Sequence, residues 1–139
     1  MKRHVLAVAA VMLGALLVLG GCNSVREDRS LRALDETLRA YDRLIRWGLF
    51  DEALNYVRTR DGRDLEINLE NYEGVHVTRL DPQAQALADD NTEARLQNRL
   101  QYYLDNAAVV KTTTDNQLWW YDEEAKRWFL DTGLPVFER

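Results

Sequence analysis

The sequence predicts an α+β protein in which N-terminal helices pack on a curved antiparallel sheet of four to five strands. Apolar residues first recur at three- and four-residue spacing, which is the period of an amphipathic helix. Later in the chain, apolar and polar residues alternate, and short polar turns separate the alternating segments. Helices followed by a run of strands are typical of the α+β class.

The first helix is predicted to begin at Ser30, a residue type favoured at helix N-caps. Its apolar positions share one face: Leu31, Leu34, Leu38, Tyr41 and Ile45. The aromatic elbow, residues 47–50, interrupts this helix, and Asp51 is predicted to cap a second short helix that contains Leu54 and Val57. We expect the aromatic side chains of the elbow to pack in the core rather than form a ligand site.

The strands are predicted after a charged loop at residues 59–64 and one or two helical turns that end at Gly74. The first strand contains Val75 and Val77, and Pro82 indicates an edge strand or a bulge. The remaining predicted strands are residues 94–104, one long or broken strand over 109–121, and 127–131, with turns at 89–91, 105–106 and 122–126. Residues 134–137 are expected to pack along the sheet as a short extension.

The first 22 residues have the layout of a secretory signal. Lys2 and Arg3 form a basic start, residues 5–19 carry no charge, and two glycines precede Cys22, the only cysteine of the chain. The apolar run is slightly short for a permanent transmembrane helix, which needs about 20 apolar residues. We therefore expect residues 1–21 to be a cleaved leader.

Leu19, Gly20, Gly21 and Cys22 occupy the four places of a lipobox, so the N-terminus resembles the bacterial lipoprotein family. The resemblance implies diacylglycerol on the Cys22 sulfur, cleavage before that residue and acylation of the new amino terminus. Several acyl chains give a durable anchor where one gives only marginal binding. Asn23 stands where inner-membrane lipoproteins often carry aspartate, so the resemblance favours the outer membrane, facing the periplasm. The alternative is a free or buried thiol behind an ordinary signal peptide.

The remainder of the chain is predicted to be a short tether, residues 22–29, and a single α+β domain, residues 30–139. Without the leader, the chain has 16 basic and 23 acidic residues and a formal charge of −7. An acidic surface repels nucleic acid and anionic lipid headgroups. The expected partners are the membrane, through the acyl chains, and an envelope protein or glycan; a homodimer is a third alternative.

Residues 30–131 resemble the nuclear transport factor 2-like superfamily, also called the cystatin-like cone. The resemblance is carried by the opening helix, the aromatic elbow, and the pairing of residues 119–121 with residues 127–130. It implies that a catalytic member would use a carboxylate, with a tyrosine or acid donor, inside the cone. The residues that could serve are Asp42, Asp51 and Asp105 as acids and Tyr41, Tyr56, Tyr72 and Tyr102 as donors. None matches a family motif residue by residue, so no catalytic role is assigned.

The residue types of several other chemistries are missing. His76 is the single histidine of the mature chain, which excludes a histidine cluster for zinc and leaves only a weak site of one histidine with carboxylates. The mature chain has only Ser24 and Ser30, in the tether and at the predicted cap, so a Ser-His-Asp triad is excluded. We predict no catalytic residue, metal site or cofactor, and we expect His76 to face solvent.

Eight of the 13 aromatic residues lie from Tyr102 onward. Neighbouring residues of a strand point to opposite faces, so one member of each pair, Tyr102 with Tyr103 and Trp119 with Trp120, is expected in the core and the other outside. An interaction surface is predicted from Tyr103, Trp119, Trp120 and Arg127. The leading hypothesis is a non-catalytic binding or interaction module; the alternative is a small-molecule-binding protein or an isomerase- or dehydratase-like enzyme with a pocket in the cone.

Overall fold

A computed structural model describes residues 29–139. The predicted leader, the lipobox and Cys22 lie outside the described residues. The described chain has helix α1 (residues 29–47) and a short helix α2 (Phe50–Ala53) that continues into a 3₁₀ turn, Leu54–Tyr56. A second 3₁₀ turn follows at Leu69–Tyr72. The strands are β1 (Val75–Leu87), β2 (Glu93–Leu104), β3 (Ala107–Asp122) and β4 (Arg127–Leu130).

Helix α1 packs its predicted apolar face against the sheet. Leu34, Tyr41 and Ile45 are buried, while the charged residues between them are mostly exposed. Residue 29 is already helical, so Ser30 lies inside α1 and the prediction that it is the cap is wrong. The backbone carbonyl of Ser30 instead accepts a hydrogen bond from the Trp128 indole at 2.8 Å, which ties α1 to β4.

The aromatic elbow begins with a well-defined helix end. The N–H of Leu49 donates to the Leu44 carbonyl, and Gly48 has a φ of +69°, a left-handed conformation that glycine adopts without strain. Phe50 is buried, as expected. The expectation for Trp47 is wrong, because its side chain is 76% exposed.

The short helices differ in detail from the prediction. Leu49, not Asp51, occupies the N-cap of α2, and Asp51 lies in its first turn, where a carboxylate still favours the helix dipole. The helical turns expected before Gly74 reduce to the 3₁₀ turn Leu69–Tyr72. Asn68 caps that turn by accepting the Glu70 N–H at 3.0 Å.

The four strands form an open antiparallel sheet in the order β1-β2-β3-β4. Strand β1 is an edge, and its register shifts between Pro82 and Ala84, which confirms the reading of Pro82. Strand β3 is continuous rather than broken. On the other side, β4 makes a parallel bridge from Leu130 to Val57. The described residues are thus an α+β fold with one hydrophobic core between α1 and the sheet.

Candidate functional site

The inner face of the sheet is covered by α1 and by the C-terminal segment, defined here as residues 134–139. The Tyr102 Oη donates to the Glu138 carbonyl at 3.0 Å and accepts from the Glu138 N–H at 2.9 Å. The Phe137 ring lies 4.8 Å from the Tyr102 ring and 5.8 Å from the Phe50 ring, between centroids. Pro135 is fully buried. The chain's own residues therefore occupy part of the interior in which the resemblance places a ligand pocket.

Further hydrogen bonds hold the C-terminal segment in place. Thr113 Oγ1 donates to the Val136 carbonyl at 3.2 Å, and Lys111 Nζ donates to the Glu138 carbonyl at 3.2 Å. Arg139 Nη2 donates to the Glu70 carbonyl at 2.7 Å. Each such bond contributes about 1 kcal/mol net. Leu134 and Pro135 of the segment are buried in the core, while Val136, Glu138 and Arg139 are exposed.

A buried polar chain runs along the inner face of β3. Asp115, Gln117 and Trp119 alternate along the strand and so share this face. Gln117 Nε2 donates to Asp115 Oδ2 at 2.6 Å, and Trp119 Nε1 donates to Gln117 Oε1 at 2.8 Å. Burial raises the pKa of Asp115 to about 6, and the hydrogen bond from Gln117 opposes that rise.

Tyr41 lies on α1 above this polar chain. Its ring meets Trp119 edge to face, with centroids 5.1 Å apart. Within residues 29–139, its buried hydroxyl has no hydrogen-bond partner. Burial raises the pKa of Tyr41 well above its ordinary value, and the charge of Asp115 adds to the rise. Burial also raises the pKa of the neighbouring Asp42 to about 6, against the opposing charge of Arg46.

The structure divides the predicted acids and phenols between two places. Asp42 and Tyr72 lie near enough to Tyr41 to raise its pKa, whereas Asp51, Asp105 and Tyr72 line one surface groove. Asp51 and Asp105 are both exposed. The side-chain partner of Asp105 is His76 rather than a tyrosine, with Oδ1 lying 2.6 Å from His76 Nε2. His76 faces solvent, as expected. Tyr102 is engaged by the C-terminal segment. Of five surface concavities of residues 29–139, none is lined by Tyr41, Asp42 or Asp115.

Asp115 is the functional candidate that sequence reasoning missed. The residue lies within the predicted strand over residues 109–121, and no role is predicted for it. Its signal was the alternation of Asp115 with Gln117 and Trp119, which continues the inward face of an unbroken strand.

The predicted interaction surface is only partly exposed. Tyr102 and Trp119 are buried, while Tyr103 is 37% exposed and Trp120 is half-buried on the other face, which confirms the expected division of each pair. Trp119 is therefore a correction to that surface. The alternation of β3 directs its ring under α1, where it is 0% exposed.

The remaining surface residues form two separate groups. The Trp120 ring lies 5.6 Å from Phe129, and the Arg127 guanidinium lies 4.8 Å from the centre of that same ring. Tyr103 lies elsewhere, because Trp120 pairs with Glu93 at the opposite end of β2, about 30 Å away along the strand. The structure brings Trp120 and Arg127 together and separates Tyr103 from them.

Comparison with protein families, curated proteins and solved structures found no match for this chain. Over residues 29–139, no helix is long and apolar enough to cross a membrane. The same residues contain no group of three or more histidine, cysteine or acidic side chains placed to hold a metal ion. Residues 29–139 thus form an α+β domain whose antiparallel sheet is covered on its inner face.

Proposed function

We propose that this chain is a lipid-anchored protein of the cell envelope whose α+β domain is a non-catalytic binding module. In this proposal, acyl chains on Cys22 hold it at the outer membrane, facing the periplasm. The domain is a variant of the nuclear transport factor 2-like cone. The helix-first order and the packing of α1 on a four-stranded antiparallel sheet support that assignment.

The anchor is supported by the lipobox and by the charge of the chain. Leu19, Gly20, Gly21 and Cys22 fit the four lipobox places. The net negative charge of the remaining chain gives no attraction to anionic headgroups, so acyl chains are needed for attachment. Residues 23–28 can span at most about 20 Å, which keeps the domain close to its membrane.

The observation that carries the non-catalytic role is the pair of hydrogen bonds between Tyr102 and Glu138. The Tyr102 hydroxyl bonds both backbone groups of Glu138, so the one O–H with which this phenol could have served as a donor in the cone is already used. Phe137 packs beside it among aromatic rings. A substrate could enter this part of the interior only if the C-terminal segment left.

A second candidate, a small-molecule-binding protein or an enzyme, is favoured by one observation. The Tyr41 hydroxyl is buried without a partner in the described residues, and Asp115, a buried carboxyl, lies near enough to raise its pKa. A phenol and a protonated carboxyl are both hydrogen-bond donors suited to a carbonyl oxygen. This function requires the C-terminal segment to behave as a lid.

The anchor is tested by mass spectrometry and cell fractionation. We expect the mature protein to begin at an acylated Cys22 and the Cys22→Ser variant to leave the membrane fraction. Asn23→Ser is the matched control and should remain membrane-bound. An unacylated mature protein, or a Cys22→Ser variant that fractionates as the wild type does, would contradict the anchor.

The two candidate functions are separated by amide hydrogen exchange of the Glu138 N–H. A permanently filled interior predicts protection close to that of the central β2 amides, because exchange would need opening of the core. A lid predicts exchange that is faster by orders of magnitude at Glu138 while β2 remains protected. The second result would favour the enzyme or carrier.

A further inference from the structure

Trp47 has a large side chain that is exposed to solvent at the end of α1. It is the last residue of α1, and the helix end behind it is set by the Leu49 to Leu44 hydrogen bond and the left-handed Gly48. Its side chain is 76% exposed. Tryptophan is enriched among the residues that dominate binding interfaces, because a rigid ring buries much area at low entropic cost.

A groove of about 430 Å³ lies beside Trp47. Apolar side chains line much of it: Phe50, Leu69, Tyr72 and Val75. Leu69 is itself 40% exposed. The groove therefore offers an apolar floor next to an exposed indole face.

The polar lining of this groove is acidic. Asp51, Glu73 and Asp105 contribute three carboxylates, and His76 is the one basic side chain among its lining residues. His76 is already paired with Asp105 at 2.6 Å. The carboxyl end of α1 also lies here, and the helix dipole places partial negative charge at that end. The electrostatic character of the groove suits a cation.

A stacked pair of rings holds one of these carboxylates in position. The His76 ring lies 4.7 Å from the Tyr103 ring with an angle of 16° between their planes. The Asp105 N–H donates to the Gly74 carbonyl at 3.0 Å, so backbone and side chain are both fixed. Tyr103, the exposed ring that lies apart from Trp120 and Arg127, thus packs against His76, a residue that lines the groove.

We propose that this groove binds a lysine or arginine side chain from a basic segment of a partner protein. The cation lies on the Trp47 face and is neutralised by Asp51, Glu73 and Asp105, while the aliphatic stem packs on Leu69. A glycan would stack on the indole but would bring no charge for three carboxylates to balance. Anionic lipid would be repelled.

The position of the groove agrees with a role away from the membrane. Trp47 lies about 27 Å along the helix axis from residue 29, the first described residue. The groove is thus remote from the point at which the described chain begins. This inference rests on the proposed binding function and adds the chemistry of the partner.

The test is a titration of the full mature protein in non-ionic detergent with a fluorescein-labelled hexapeptide of alternating arginine and glycine, read by fluorescence anisotropy. We expect saturable binding that weakens as NaCl is raised, and no binding of the peptide with glutamate in place of arginine. Trp47→Ala should weaken binding about fivefold to tenfold, and Asp105→Asn about threefold. Val110→Ala and Glu123→Gln, at exposed positions outside the groove, are the matched controls and should bind as the wild type does.

Several results would overturn this inference. The first is the absence of arginine-peptide binding at millimolar concentration, and the second is that Trp47→Ala binds the peptide as tightly as the wild type. The third is binding of a neutral oligosaccharide that the arginine peptide does not displace and that Trp47→Ala abolishes. Failure here is separate from failure of the anchor. An acylated, membrane-bound protein that ignores the peptide loses only the partner assignment, whereas an unacylated protein that binds the peptide loses only the anchor.

Discussion

Gln117 donates its side-chain N–H to the buried carboxylate of Asp115 across 2.6 Å. A single neutral amide replaces only part of the hydration that the carboxylate loses, so burial prevails and the pKa of Asp115 rises to about 6. On α1, burial raises the pKa of Asp42 to about 6, and the charge of Asp115 contributes to that rise. The folded domain consequently favours protonated carboxyls at these two positions.

The first prediction is that the domain becomes less stable as pH rises from about 4 to about 6. An aspartate in the unfolded chain has released its proton above its ordinary pKa of 3.8, while folded Asp115 keeps it until about 6. Stability is therefore lost across this window and stays low above it, by about 3 kcal/mol for Asp115. Urea unfolding of Asp115→Asn at pH 4.5 and pH 8 should show that most of the stability loss due to Asp115 is removed. The free energy of unfolding of the variant at pH 8 should therefore exceed that of the wild type.

The window must stay above pH 4, because other carboxyls act in the opposite direction. Hydrogen bonds lower the pKa values of Asp61, Asp90 and Asp122, so their contribution to stability is lost as pH falls further. Glu123→Gln, at an exposed turn position, is the control and should retain the wild-type pH dependence. Asp115→Asn is expected to keep the part of the pH dependence that Asp42 causes, and the prediction is wrong if the variant keeps the whole of it.

The second prediction compares two buried phenols. Tyr41→Phe removes a hydroxyl that has no partner in residues 29–139, so stability should be unchanged or raised by up to about 1 kcal/mol. Tyr102→Phe removes a hydroxyl that bonds both backbone groups of Glu138 and should cost about 1 to 3 kcal/mol. Chemical denaturation of both variants gives the comparison. A loss at Tyr41 as large as that at Tyr102 would show that the Tyr41 hydroxyl does have a partner in solution.

The sequence could predict those parts of the fold that depend on the spacing of apolar residues within a single helix or strand. The helical spacing of Leu34, Tyr41 and Ile45 fixes the buried face of α1. The pleat of a strand sends Trp119 and Trp120 to opposite faces but does not say which of them lies inside. Pro82 cannot donate to a ladder, so an edge strand or a bulge at this residue followed from chemistry alone.

The parts that sequence could not predict depend on where distant segments meet. Whether Trp47 is covered depends on what packs beyond the end of α1, and the local pattern of the elbow does not contain that information. Asp115 is a buried carboxyl because it lies on the inner face of β3, which the closure of distant segments covers. The same closure decides whether a phenol such as Tyr102 is free for chemistry.

The third prediction contrasts a buried indole with an exposed one. Trp128 is 0% exposed and donates from Nε1 to the Ser30 carbonyl, so Trp128→Ala leaves a cavity and removes that hydrogen bond. The expected loss is about 3 to 5 kcal/mol. Trp47→Ala deletes the same side chain from an exposed position and should change the free energy of unfolding by less than about 0.5 kcal/mol. Thermal and urea unfolding of the two variants measure the difference. Equal losses would mean that Trp47 packs against the domain in solution, which would remove the exposed indole on which the cation groove depends.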